Sequence, residues 1–207
     1  MKKVLCYGDS NTWGFISGTN HERYDESVRY TKVLQKILGT EFEVIEEGLP
    51  GRTCCTDDIK ECFGNINGEL YFAQSIYSHL PLDYIVLMLG TNDLKTKFDK
   101  AVSDCADALK NKYIKPIIAG LDEKLNKMPK IVVVTPAKIE GSWGKFDGAD
   151  EKSLHFNDEY KKVATENDCL FVSNEGLVNG VDKIHLTKES HLLLAERIAK
   201  TILDNEK

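Results

Sequence analysis

Apolar and polar positions come in alternating blocks along the whole chain. Residues 4–7 form a short apolar run closed by Gly8-Asp9, which predicts a first strand. Over residues 27–38, Val28, Val33, Leu34, Ile37 and Leu38 fall at helical spacing, and Gly39 stops the helix. Residues 42–45 predict a second strand and residues 69–80 an aromatic-rich helix. Residues 83–89 are nearly all apolar, the pattern of a central strand covered on both faces. A long helix is predicted over 99–126, kinked or divided at Pro116. Strand 131–134, helix 151–167, strand 170–172 and helix 187–203 complete the series. Such strand–helix alternation predicts an α/β fold with a parallel sheet and helices on both faces. No repeat, low-complexity tract or linker interrupts it, so a single domain over 1–207 is expected. Residues 138–148, rich in glycine with two aromatics, predict a surface loop that walls a pocket.

Composition narrows the classes. With 207 residues and 42% hydrophobic content the chain is large enough for one sizeable core. The net charge of -6, with acidic stretches such as Glu46-Glu47, argues against nucleic acid, which needs a basic face. The apolar start is too short for a signal peptide, and no run approaches a membrane span. A cytoplasmic protein with no membrane partner is expected. Its six cysteines, Cys6, Cys54, Cys55, Cys62, Cys105 and Cys169, then read as free thiols, with Cys54 and Cys55 as small apolar fillers. Cys54-Cys55 and Cys62 make no C-x-x-C pair, so neither zinc nor another metal is expected.

Four polar segments stand at predicted strand ends, where open α/β sheets place their chemistry. Gly8-Asp9-Ser10-Asn11 leaves the first strand, and a helix starting near Ser10 would present its hydroxyl and N–H together. Taken alone, an N-cap or Asx turn explains this tripeptide equally well. Gly48-Leu49-Pro50-Gly51-Arg52-Thr53 follows the second strand and lets the backbone approach a substrate, or is an ordinary Pro-Gly turn. Gly90-Thr91-Asn92-Asp93 follows the central strand. The Asn92 amide is a neutral donor for developing negative charge, the alternative being a helix cap. Asp182-Lys183-Ile184-His185 brings a carboxylate and an imidazole to one place, or is a solvent-facing loop. A serine needs a base to lose its proton, and the base needs an orienting carboxylate. The four segments together supply all three.

In this order and these roles the segments resemble the SGNH hydrolases, the GDSL esterase/lipase family, with Asn11 where the family name has leucine. Gly8-Asp9-Ser10-Asn11-Thr12-Trp13-Gly14 and Met88-Leu89-Gly90-Thr91-Asn92-Asp93 look most like its arylesterase and acyltransferase branch. The resemblance implies a flavodoxin-like three-layer α/β/α sandwich. It implies a serine esterase for short acyl esters that passes through an acyl-serine, with acyl transfer as a second activity. Ser10 would be the nucleophile, His185 the base and Asp182 its orienter. The oxyanion donors would be the N–H groups of Ser10 and Gly51 and the Asn92 side chain. No cofactor is implied. The partner is a small-molecule ester, and self-association into a homo-oligomer is allowed.

Trp13, three residues after Ser10, is expected beside the substrate pocket. Arg52 is expected to pair with Asp57 or Asp58, and His21, His79, His155 and His191 to lie on the surface or a helix face. Competing readings are a carbohydrate O-acetyl esterase and a lysophospholipase or thioesterase. From another class comes a non-catalytic flavodoxin-like binding module, which the joint presence of Ser10, Asn92, Asp182 and His185 argues against.

Overall fold

Strand side chains point alternately to the two sides of a sheet, and here both sides are covered. The computed structural model describes residues 1–62, 64–120, 128–141 and 143–207. Its strands are β1 (Lys2–Gly8), β2 (Phe42–Gly48), β3 (Ile59–Lys60), β4 (Gly64–Asn65), β5 (Tyr84–Met88), β6 (Lys130–Val134) and β7 (Leu170–Val172). Its α-helices are α1 (Ser10–Trp13), α2 (Tyr30–Leu38), α3 (Glu69–His79), α4 (Val102–Ala108), α5 (Lys115–Gly120), α6 (Ala149–Ser153), α7 (Phe156–Glu166) and α8 (Lys188–Asn205).

Five strands form one parallel sheet in the order β2-β1-β5-β6-β7. Numbered along the chain this is the flavodoxin-like order 2-1-3-4-5, whose switch point lies between the ends of β1 and β5. Leu5, Tyr7, Ile85, Leu87, Ile131 and Val133 pack on one face with Phe72, Tyr113, Phe156 and Tyr160. Val4, Cys6, Val86, Val132 and Val134 pack on the other with Tyr30, Leu34, Leu194 and Ile198. Each such fully buried side chain contributes roughly 1.5–3 kcal/mol of transfer free energy, so the alternation along β1, β5 and β6 fixes the three-layer sandwich. The two-residue β3–β4 hairpin stands apart from this sheet, in a segment where no element was predicted.

Three helices differ from their predicted extents. The first begins at Tyr30 instead of residue 27, because Val28 and Arg29 donate to Asp25 O in a turn. Residues 151–167 are two helices. Ser153 Oγ donates back to Asp150 O at 2.8 Å and accepts from Ile139 N–H at 3.0 Å, which favours a break over a continued helix. Within 99–126, α4 starts only at Val102 and passes into a wider π turn over Leu109–Ile114. There Lys115 N–H reaches Lys110 O, just before Pro116, which has no N–H to give. The predicted stretch 121–126 lies outside the described residues. The last helix is capped by Thr187, whose side chain accepts from Ser190 N–H.

Candidate active site

The exits of β1, β2 and β5 and the loop before α8 converge at the carboxyl edge of the sheet. Asp9 caps the short α1 by accepting from Asn11 N–H at 2.9 Å, which sets Ser10 as the first residue of that turn. Ser10 Oγ lies 2.9 Å from His185 Nε2, and His185 Nδ1 lies 2.7 Å from Asp182 Oδ2. Asp182 is held on all sides. Its Oδ1 accepts from the N–H groups of Ile184 and His185 at 3.1 and 3.0 Å, and its Oδ2 also accepts from Gly18 N–H at 3.2 Å. Its own N–H donates to Ser17 Oγ at 3.0 Å. Burial alone would push this carboxyl up, but the hydrogen bonds from the His185 ring and backbone outweigh it and hold it well below the usual carboxylate range. An imidazole bound through one nitrogen to an anionic carboxylate presents its other nitrogen to accept a hydroxyl proton.

Gly48 and Gly51, which share one turn, have different jobs. A Cβ on Gly48 would stand 2.2 Å from Trp13 N, so its bareness lets β2 end against α1. Gly51 has φ +83°, the left-handed region that favours glycine. Asn92 Nδ2 donates to Arg52 O at 3.1 Å and stands 3.4 Å from Asp9 Oδ2. One amide hydrogen is thus firmly used and the other only weakly. The Asn92 side chain does not cap its own 3-10 turn. The next residue, Asp93, accepts from the N–H groups of Cys54 and Cys55 at 2.6 and 3.0 Å and from Thr56 Oγ1 at 2.9 Å. It ties the Gly51-Arg52 segment to the Asn92 turn.

The loop over 138–148, whose residue 142 lies outside the described residues, is tied down near both ends. Glu140 N–H donates to Lys183 O at 3.1 Å, and Thr96 Oγ1 donates to Asp147 O at 3.3 Å, so the loop runs between the His185 loop and the segment after Asn92.

Four neighbours of the site have contacts that the sequence did not reveal. Phe15 stacks on His185 with ring centroids 4.2 Å apart, and Ser17 and Gly18 hold Asp182. Asn11 Nδ2 donates to Ile184 O at 3.3 Å, and Asn11 Oδ1 accepts from Leu186 N–H at 2.9 Å. Their only sequence signal is closeness to Ser10. Trp13 is half-buried, with its ring 6.2 Å from that of Phe15 and the Arg23 guanidinium 5.2 Å above it.

One expectation needs correcting. Arg52 pairs with neither Asp57 nor Asp58. Its Nη1 donates to the carbonyls of Gly8 and Glu47 and its guanidinium lies 4.1 Å over the Tyr7 ring, joining the ends of β1 and β2. Asp57 accepts from Asn67, and Asp58 is taken by Lys60, Lys95 and Lys97. His191, expected on the surface or a helix face, lies on the inner face of α8. It is fully buried, accepts from Tyr30 N–H at 3.3 Å, and is pulled down to about 4 by burial. His21 and His155 are exposed, and His79 sits 3.0 Å from Glu47.

Comparison with known proteins places this geometry in a family. Residues 6–193 match the GDSL-like lipase/acylhydrolase family. No curated protein sequence matches. Among solved structures, the chain is similar to Est24, a carbohydrate acetylesterase from Sinorhizobium meliloti, at 31% identity and TM-score 0.90 over 99% of this chain and 100% of that one. It is also similar to the M. smegmatis aryl esterase, at 32% identity and TM-score 0.89 over 99% of both chains. The lipase/acylhydrolase from Enterococcus faecalis shares the fold at 16% identity and TM-score 0.72, over 99% of this chain and 97% of that one. The chain belongs to the GDSL-like lipase/acylhydrolase family, and it is a carboxylic ester hydrolase of the SGNH type.

Proposed function

We propose that Ser10 is the nucleophile of an esterase for short acyl esters, with His185 as base and Asp182 as its orienter. The reading rests on one observation above others, the unbroken hydrogen-bond chain from Ser10 Oγ through both His185 nitrogens to Asp182. Ser10 Oγ attacks the ester carbonyl carbon while His185 Nε2 takes its proton. The tetrahedral oxyanion is met by the Ser10 and Gly51 N–H groups and by the weakly engaged hydrogen of Asn92 Nδ2. His185 returns the proton to the leaving alcohol, and the acyl group stays on Ser10. Water, or an acceptor alcohol, then enters by the same route in reverse and frees the enzyme.

The short-acyl preference follows from the aromatic rim. Phe15 is stacked on His185, Trp13 lies beside Phe15 and under Arg23, and on this reading Trp13 borders the acyl or alcohol side and disfavours long chains. The protein works in the cytoplasm as one domain over 1–207. No helix among the described residues is long and apolar enough to cross a membrane. Carbohydrate O-acetyl ester hydrolysis is the second reading, supported by the 31% identity to Est24. Rates on p-nitrophenyl esters of increasing chain length, run beside acetylated sugars, decide between them. Short aryl esters are turned over fastest under the first reading and acetylated sugars under the second. A preference for long chains contradicts both. Product partitioning with added alcohol reads acyl transfer directly.

A further inference from the structure

Behind Asn92 lies a set of donors that ester hydrolysis does not use. Cys55 follows the Gly51 turn, Asp93 follows Asn92, and Cys105 comes from α4. The two sulfurs and a carboxylate oxygen all lie within 4.8 Å of one another, with Cys55 Sγ 3.6 Å from Asp93 Oδ1. Thr56 Oγ1 stands 2.9 Å from Asp93 Oδ1 and 4.0 Å from Cys55 Sγ. Zinc bonds of about 2.3 Å to sulfur and about 2.0–2.2 Å to oxygen put neighbouring donors of a tetrahedral site roughly 3.5–3.8 Å apart. The cluster is therefore close to the size an ion needs. Asp93 and Cys105 are fully buried, while Cys55 is half-buried and gives a way in. No lysine, arginine or histidine pairs with Asp93 among the described residues; its partners are the N–H groups of Cys54 and Cys55, the Thr56 hydroxyl and the Cys55 thiol.

We propose that Cys55, Asp93 and Cys105, with the Thr56 hydroxyl at the fourth corner, bind a divalent cation of the zinc type. Two thiolates favour zinc and cadmium over magnesium or calcium, which take oxygen ligands. On binding, the two thiols release their protons to solvent, and the ion gains two thiolate sulfurs and one carboxylate oxygen. The site is assembled from three segments distant in sequence, so no spacing motif announces it. It also has a consequence for the esterase reading, on which this part alone rests. The ion draws on the same Asp93 oxygen that accepts from Cys55 N–H and Thr56. Binding therefore loosens the tie between the Gly51 segment and the Asn92 turn and lowers ester hydrolysis.

The test uses the full-length protein, reduced with a phosphine and freed of metal by chelator, with cadmium ion as the probe. The ultraviolet sulfur-to-cadmium charge-transfer band should grow to saturation at one equivalent, and zinc should displace it. Cys55→Ser and Cys105→Ala should each weaken cadmium binding by more than about tenfold, the scale seen for losing even an outer partner of a metal ligand. Cys62→Ser should bind as the wild type does. Cys55→Ser carries the test if Cys105→Ala fails to fold. Absence of the band in the wild type, or an unchanged band in Cys55→Ser, overturns the site. Zinc should also slow wild-type p-nitrophenyl acetate hydrolysis, reversibly with chelator, and leave the rate of Cys55→Ser unchanged. Equal inhibition of both overturns the link to Asn92. The cadmium band needs no ester turnover, so it decides the site even if the esterase reading fails.

Discussion

Leu186 donates its backbone N–H to the side-chain oxygen of Asn11 at 2.9 Å, and the same side chain donates to Ile184 O at 3.3 Å. Residues 184 and 186 bracket His185, and Asn11 adjoins Ser10. One buried carboxamide therefore fixes the distance between the serine and its imidazole partner. Asn11→Leu keeps the bulk and removes both bonds, stranding two buried backbone groups at about 1–3 kcal/mol each. The expected result is a lower melting temperature and a kcat reduced by about 10–100-fold, since a shift of about 1 Å at a catalytic group costs up to about 10²-fold. KM should change little. Steady-state kinetics and thermal melts on this one variant check both effects, and a wild-type kcat would remove Asn11 from the positioning of His185.

Asp182 is fixed by its hydrogen bonds in the ionised form. Asp182→Asn should leave the loop folded but offer the wrong partner to His185 Nδ1, with kcat falling by up to about 10⁴-fold. Hydrolysis of p-nitrophenyl acetate measures the loss. An enzyme of normal activity would take the carboxylate out of the mechanism.

Asn92→Ala separates an oxyanion donor from a structural residue. As a donor, its loss lowers kcat by about 10²–10³-fold. As a purely structural residue it would cost about 1 kcal/mol of stability with modest kinetic change. Its bond to Arg52 O adds a stability cost to either case, so the kinetic effect is the deciding one.

His191 gives a stability effect with a definite sign. Burial lowers its pKa from 6.5 to about 4 in the fold. Between these values the unfolded chain takes up a proton that the folded protein refuses, so stability falls as pH drops from about 6.5 towards 4. Below that the loss is complete, on the order of 3 kcal/mol at about 1.4 kcal/mol per pH unit. His191→Gln keeps an acceptor for Tyr30 N–H but does not titrate. Its stability deficit against wild type, read from denaturant melts, should therefore shrink between pH 7 and pH 4. A deficit independent of pH would show that His191 is not the titrating group.

The sheet was legible because β1, β5 and β6 are short apolar runs that end in glycine or proline turns, and their ends carry the polar segments. The pairing of Ser10, Asp182 and His185 was legible in the same way, although 175 residues separate the serine from its histidine. What stayed hidden depends on contacts between distant segments. Arg52 has acidic residues close by in sequence, yet the turn at Gly51 aims it at the carbonyls of Gly8 and Glu47. The amide clamp of Asn11 reaches across the whole chain, and so does the meeting of Cys55 with Cys105. His191 is a different case. It lies at helical spacing with Leu194, Ala195, Ile198 and Ile202 on the buried face of α8, so its burial was written in the periodicity and outweighed by its polarity.

The central claim is that Ser10 carries the acyl group. Labelling with diethyl p-nitrophenyl phosphate, followed by peptide mapping, reads it most directly. One phosphoryl group per chain should appear on Ser10 in step with the loss of p-nitrophenyl acetate hydrolysis, and Ser10→Ala should be both unlabelled and inactive while melting as a folded protein. A label on another residue, or a Ser10→Ala protein that still turns over the ester, would contradict it.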